Sequence, residues 1–261
     1  MTGQEVTVSE AEGCAVLTFG AGTNGNLLDN RTITDLTSAL EMLSHEPRLR
    51  MLVLSSRGDS FCRGIDLNWM ITGAEAPLEE NIAGALTLTG LFKRVFDFPK
   101  PTLARIQGDA FGAGVGLIAA CDIAVCANPA KLGVREVRNG IIPAALSPYF
   151  MAAVGARRAR DYFLTARVLS AREAHSIGLV QYLCASEGLD STVEEVRRAI
   201  LRGSPDAAVA TKELVRAVVN QPIDDELVME TAHRIATIRA TPLAHAGIKA
   251  ALDGSVPPWR Q

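Results

Sequence analysis

The chain has 261 residues, 48% of them hydrophobic and 21% charged, which excludes a disordered chain and is long enough to bury a substantial core. Its 26 basic and 29 acidic residues leave a net charge of −3, so no general attraction to nucleic acid or to an anionic membrane is expected. The five cysteines, Cys14, Cys62, Cys121, Cys126 and Cys184, are odd in number and lack metal-ligand spacing; they are expected to be reduced thiols, and no metal is implied.

Residues 1–9 are polar and acidic where an export signal carries positive charge before an apolar run, so a cytoplasmic location is expected. Residues 5–8 and 14–19 flank Glu12-Gly13 and predict a hairpin. Ile33, Leu36, Leu40 and Leu43 then recur at helical spacing, which predicts a helix over 30–43 behind an Asn30 cap. A buried strand follows at 51–54, ended by a turn at Arg57-Gly58-Asp59. After a longer insert come a helix over 79–97 and a strand over 102–106, the latter set off by Pro99 and Pro101.

Residues 110–127 are the most apolar stretch, but glycines and Asp122 interrupt it, so it predicts a buried helix at 112–121 and a strand at 123–126 rather than a membrane span. Alternating strands and helices imply parallel pairing through crossover helices. From residue 147 onward the pattern is mostly helical, with helices expected at 156–165, 171–177, 192–201, 206–219, 224–239 and 242–252.

Two loops carry the chemistry. The first, residues 58–67, leaves a strand and turns at Gly64, which is free to present the next amide outward. The second, residues 107–116, enters an apolar helix whose first amides have no internal partner and sit at the positive end of its dipole. Alone, each reads rather as a tight strand-to-helix turn. Gly112, Gly114 and Gly116 imitate part of a dinucleotide fingerprint, but the spacing is wrong and the loop lies too deep in the chain.

Together the motifs resemble the crotonase superfamily, the enoyl-CoA hydratase/isomerase family. FCRGIDL at 61–67 is similar to its first oxyanion loop and IQGDAFGAGVGLIAACDIAVC at 106–126 to its second. AKLGVREVRNGIIPAALSPYF at 130–150 resembles its catalytic-glutamate segment, LTARVLSAREAHSIGLV at 164–180 the segment after it, and AGIKAALDGSVPPW at 246–259 its final helix. The glycine at 116 and the EVR…IIPA…SPY stretch look most like bacterial methylglutaconyl-CoA hydratases.

The resemblance implies an α/β spiral of repeated ββα units over residues 1–200 and a helical trimerisation region over 201–261, assembled as a homotrimer or homohexamer. It implies an acyl-CoA substrate whose thioester oxygen is held by the amides of Ile65 and Ala113. Coenzyme A enters as part of the substrate and no separate cofactor is expected. Arg63, Gly64, Ile65, Asp66, Leu67, Gly112, Ala113 and Ala144 are the implied substrate-binding positions. Asp66 and Asp122 suit loop bracing better than acid–base work, Arg63 suits the phosphates of coenzyme A or an acidic acyl group, and the Ala144 amide matches a water-holding position.

Glu136 falls where the family's hydratases carry one of two glutamates; without the resemblance it reads rather as a surface residue pairing with Arg135 or Arg138. Gly116 aligns with the other glutamate and has nothing to ionise. Hydration or dehydration of a 2-enoyl-CoA with Glu136 as acid and base is the favoured expectation. Isomerisation by one glutamate, dehydration of a carrier-protein thioester, and a non-catalytic acyl-CoA-binding homologue stand beside it. Residues lining the acyl pocket are expected within 68–98 and 139–150. The basic cluster Arg157, Arg158 and Arg160 is expected to be a solvated helix face, and the four histidines match no ligand spacing.

Overall fold

The computed structural model describes residues 6–260. Strands β1 (Val6–Ala11) and β2 (Cys14–Phe19) pair antiparallel through a two-residue turn, with Glu12 and Gly13 at φ of 52° and 77°, the geometry that matches strand twist. Glu5, placed in this strand from the sequence, lies outside the described residues. Helix α1 (Asn30–Ser44) buries Ile33, Leu36, Leu40 and Leu43 as its periodicity requires. Its cap is Asp29 rather than Asn30: the Asp29 carboxylate accepts from the Thr32 N–H at 2.7 Å, and Asn30 is already the first helical residue.

Strand β3 (Met51–Ser56) is buried along its whole length, which is why it shows no polar alternation. There follow β4 (Ser60–Cys62), α2 (Leu67–Glu75), α3 (Leu78–Phe96), β5 (Thr102–Ile106), β6 (Asp109–Phe111), α4 (Ala113–Ala120), β7 (Ile123–Ala127) and β8 (Lys131–Gly133). Next come α5 (Ser147–Val154), α6 (Ala156–Thr165), β9 (Val168–Ser170), α7 (Ala171–Ser176), β10 (Tyr182–Cys184) and α8 (Leu189–Leu201). Helices α9 (Pro205–Val218), α10 (Asp225–Arg239) and α11 (Pro242–Asp253) complete the chain.

Among the described residues the strands form two sheets, ordered β1-β2-β3-β5-β7-β10 and β4-β6-β8-β9. From β2 to β10 the large sheet is parallel; in the small one β4, β6 and β8 are parallel and β9 closes the edge antiparallel. The chain passes from large sheet to small sheet to helix three times, at β3–β4–α2, β5–β6–α4 and β7–β8–α5. That is the expected spiral of ββα units.

The chain divides into two compact units. One holds the described residues up to Phe98 and Thr102–Glu194, with a core that includes an edge-to-face pair of Phe19 and Phe61 at 5.5 Å. The other holds Pro99–Pro101 and the chain from Glu195 onward, where Lys212 Nζ donates to the Lys100 carbonyl and the Trp259 indole to the Arg202 carbonyl. No helix among the described residues is long and apolar enough to cross a membrane.

Replacing Asp29 by Ala removes the acceptor for the first turn of α1. A loss of about 1 kcal/mol is expected, read as a lower urea midpoint with an unchanged slope.

Candidate active site

The three parallel strands of the small sheet deliver three segments side by side at their C-terminal ends. Strand β4 leads into Arg63-Gly64-Ile65, β6 into Gly112-Ala113, and β8 into Val134-Arg135-Glu136. Gly64 (φ 113°) and Gly112 (φ 48°) turn the first two out of their strands in conformations that a side chain resists.

Residues 25–28 splint the first loop. Leu28 N–H donates to the Gly64 carbonyl (2.8 Å) and Asp66 N–H to the Leu28 carbonyl (2.9 Å), forming an isolated parallel bridge. These bonds occupy one edge of the extended segment, so Ile65 N–H, lying between them, points from the other edge and has no acceptor among the described residues. In the second loop Gly112 N–H is tied to the Gly133 carbonyl at 2.9 Å. The next amide, Ala113 N–H, opens α4 and also has no acceptor among the described residues. Two unengaged amides thus leave neighbouring parallel strands.

Asn26 anchors the splint. It is 2% exposed at a positive φ of 54°. Its Nδ2 donates to the Arg57 and Ser60 carbonyls at 2.6 and 2.8 Å, and its Oδ1 accepts from Gly22 N–H at 3.0 Å.

Glu136 begins a single 3-10 turn, Glu136–Asn139. Its carboxyl lies against the second loop: a Cβ placed on Gly112 would be 2.9 Å from its Oε1. Its Oε2 is buried without a hydrogen-bond partner. Burial pushes the pKa above the ordinary glutamate value, opposed by the backbone N–H groups of Glu136 and Arg135 and by the Arg135 guanidinium. No salt bridge joins Glu136 to Arg135 or Arg138; the Arg135 guanidinium stacks on the Phe111 ring, 3.8 Å from its centroid.

A cavity of about 440 Å³ opens among these groups, with Arg63, Gly64, Ile65, Leu67, Gly112, Ala113, Glu136 and Ala144 on its wall. Ala144 N–H has no acceptor among the described residues. Asp66 is not on the wall: its carboxylate caps α2, accepting from Asn68 N–H at 2.7 Å and Trp69 N–H at 3.4 Å. That geometry is the loop-bracing role expected for it. Asp122 likewise accepts from the Thr102 amide and hydroxyl and ties down the start of β5.

The remaining wall comes from Leu27, Phe111, Arg135 and residues within 70–92 and 139–146, including Met70, Leu88, Phe92 and Ile142. Sequence reasoning missed Leu27, Phe111 and Arg135 as wall residues, and only their neighbours in the motifs pointed toward the last two, whereas Phe92 falls within the stretch expected to line the acyl pocket. Phe92 explains why position 116 carries no side chain. A Cβ on Gly116 would lie 2.6 Å from Phe92 Cζ and 3.0 Å from Leu146 Cβ. Cys62, under the first loop, is fully buried and its thiol is pushed up to about 12 by desolvation, so it is no nucleophile.

The enoyl-CoA hydratase/isomerase family model matches residues 9–260. A Thermus thermophilus protein carrying the enoyl-CoA hydratase name is 35% identical over 200 residues, 77% of this chain and 79% of that protein. An Arthrobacter 4-chlorobenzoyl coenzyme A dehalogenase is 27% identical over 238 residues, 90% of this chain and 85% of that protein. A solved structure from Legionella pneumophila, assigned to enoyl-CoA hydratase/isomerase (crotonase), matches with a TM-score of 0.94 at 35% identity, covering 99% of this chain and 100% of the other. These names span hydration and dehalogenation, so the likeness fixes family and fold and leaves the reaction to the residues of this site.

Asn26→Ala leaves several buried backbone groups without partners, and a loss on the order of 3 kcal/mol is expected by chemical denaturation. Glu136→Gln is expected to move stability the other way. Because burial raises the folded-state pKa, the group's contribution is fully present below the ordinary glutamate value and is lost as pH rises through the folded value. Glutamine stays neutral, so the Tm difference between variant and parent should grow with pH across that window and hold at pH 8. A difference independent of pH would contradict the burial argument.

Proposed function

This chain belongs to the enoyl-CoA hydratase/isomerase family, and from that premise we propose that it catalyses reversible addition of water to a 2-enoyl-CoA, with Glu136 as both acid and base. The observation that carries this reading is that Glu136 is, among the described residues, the one carboxylate on the wall of a cavity that also presents the unengaged Ile65 and Ala113 amides.

The thioester oxygen accepts hydrogen bonds from the Ile65 and Ala113 amides. The Ala144 amide holds water, and the Glu136 carboxylate takes a proton from it as the oxygen bonds to C3. Electron density moves to the thioester oxygen, where two fixed donors stabilise the enolate, each worth about 3–4 kcal/mol in the transition state. The protonated Glu136 then delivers its proton to C2. Burial suits this cycle, because a carboxyl held above its ordinary pKa retains the proton long enough to return it.

A second reading, double-bond isomerisation, is supported by the absence, among the described residues, of any other acid on the wall and by the covering of Gly116 by Phe92 and Leu146. One carboxylate suffices to take a proton from C2 of a 3-enoyl thioester and return it to C4. Under either reading the assembly is a homotrimer or homohexamer, supported by exposed apolar side chains such as Met229, Ile235 and Leu252 on α10 and α11.

Incubating the protein with crotonyl-CoA and a 3-enoyl-CoA in deuterated water, followed by mass spectrometry, separates these readings. The expected result is conversion of crotonyl-CoA to its 3-hydroxyacyl product by addition of one D2O, leaving one carbon-bound deuterium at C2; migration of the 3-enoyl double bond without hydration makes the enzyme an isomerase. Glu136→Gln should reduce kcat by about 10²–10⁴-fold with acyl-CoA binding retained, and unchanged turnover would remove Glu136 from its role. For the parent, the acid limb of kcat/KM should sit above the ordinary glutamate range.

A further inference from the structure

The charge on the cavity wall is unbalanced. Arg63 and Arg135 both line it, and neither side chain makes a hydrogen bond or salt bridge to any described residue. The single acid that the described residues place on the wall, Glu136, has its charged form disfavoured by burial. A cavity with two guanidiniums and one carboxyl is complementary to an anion. Arg63 is exposed, so water screens its charge and nothing fixes the direction of its fork.

Arg135 is held differently. The carbon at the centre of its guanidinium lies over the Phe111 ring, 3.8 Å from the centroid. That contact holds the cation in place while its N–H groups have no acceptor among the described residues, which leaves them able to form two parallel hydrogen bonds to a carboxylate. Phe111 is two residues before Ala113, whose free amide faces the cavity, and Arg135 is next to Glu136, whose carboxyl lies against Gly112. Arg135 also lines the same cavity and its charge acts on the Glu136 carboxyl, which puts the cation at the reacting end. The phosphates of a coenzyme A thioester are separated from its carbonyl by the whole pantetheine arm, and with the carbonyl between the two amides they fall out of reach of Arg135. An anion that meets Arg135 must belong to the acyl group.

We propose that Arg135 anchors a second carboxylate on the acyl group, so that this site takes the thioester of a dicarboxylic acid in preference to a neutral acyl chain. The inference rests on the reading of the cavity as an enoyl-thioester site. In it Arg135 is a positioning and specificity residue: the carboxylate it holds fixes the acyl chain so that C2 and C3 lie beside Glu136.

The test is a binding comparison that needs no turnover. Glutaryl-CoA and hexanoyl-CoA are both saturated, and their affinities for the intact protein are measured by calorimetry. The wild-type protein should bind glutaryl-CoA about tenfold tighter or better. Arg135→Gln should bring the ratio of the two affinities close to one, and Arg135→Lys, which keeps the charge but not the fork, should retain part of the preference. A wild-type ratio of one or less overturns the proposal whatever the variants do, as does an undiminished ratio in Arg135→Gln. The readings fail separately: preference for glutaryl-CoA without hydration of any enoyl-CoA removes the hydratase assignment alone, and hydration without preference removes the anchor alone.

Discussion

Two backbone amides must be held side by side with nothing in the protein to bond to, and much of the small sheet is arranged around that requirement. An amide without a partner is costly wherever water is excluded. Parallel pairing of β4 with β6 places the two exits next to each other, and pairing of β6 with β8 adds Glu136. The neighbouring backbone groups are then consumed so that only the required amides remain: Leu28 takes Gly64 and Asp66, and Gly133 takes Gly112. Gln107 secures the approach from β3, its Nε2 reaching the Ser56 hydroxyl at 2.9 Å and the Ser60 carbonyl at 2.9 Å. Asp109 joins β6 to β8 by accepting from Lys131 N–H.

The parts of this plan that were legible in the sequence are those with a long apolar signal. Helix α1 and strands β3, β5 and β7 are buried along a face or throughout, so periodicity and bounding turns find them. Strands β4, β6, β8 and β9 have three residues each, too few for any alternation to register. Helix α2 was missed because it buries none of its residues; two of them, Leu67 and Met70, border the cavity. Ile65, Ala113 and Glu136 were named through family resemblance, since an amide's value depends on which neighbours are already bonded, and composition does not record that.

Arg135 shows a similar limit in the electrostatics. Beside a glutamate in sequence, an arginine suggests an ion pair. Here the guanidinium instead lies on Phe111, while Glu136 turns into the cavity with one oxygen unpartnered. Separating the two charges leaves the carboxyl with a raised pKa, moderated by a cation that is near but not bonded to it. A direct salt bridge would favour the ionised form strongly and leave little tendency to hold a proton.

The covering of Gly116 has a stereochemical consequence on the proposed reading. With Phe92 and Leu146 over that backbone, no side chain can project from position 116 without moving them. The proton taken from water and the proton given to C2 must then pass through the same carboxyl. One carboxyl reaches only one face of a planar enoyl group held by its carbonyl between fixed amides. Hydroxyl and hydrogen therefore add to the same face, and syn addition follows from having a single proton carrier rather than from a pair of acids arranged to enforce it.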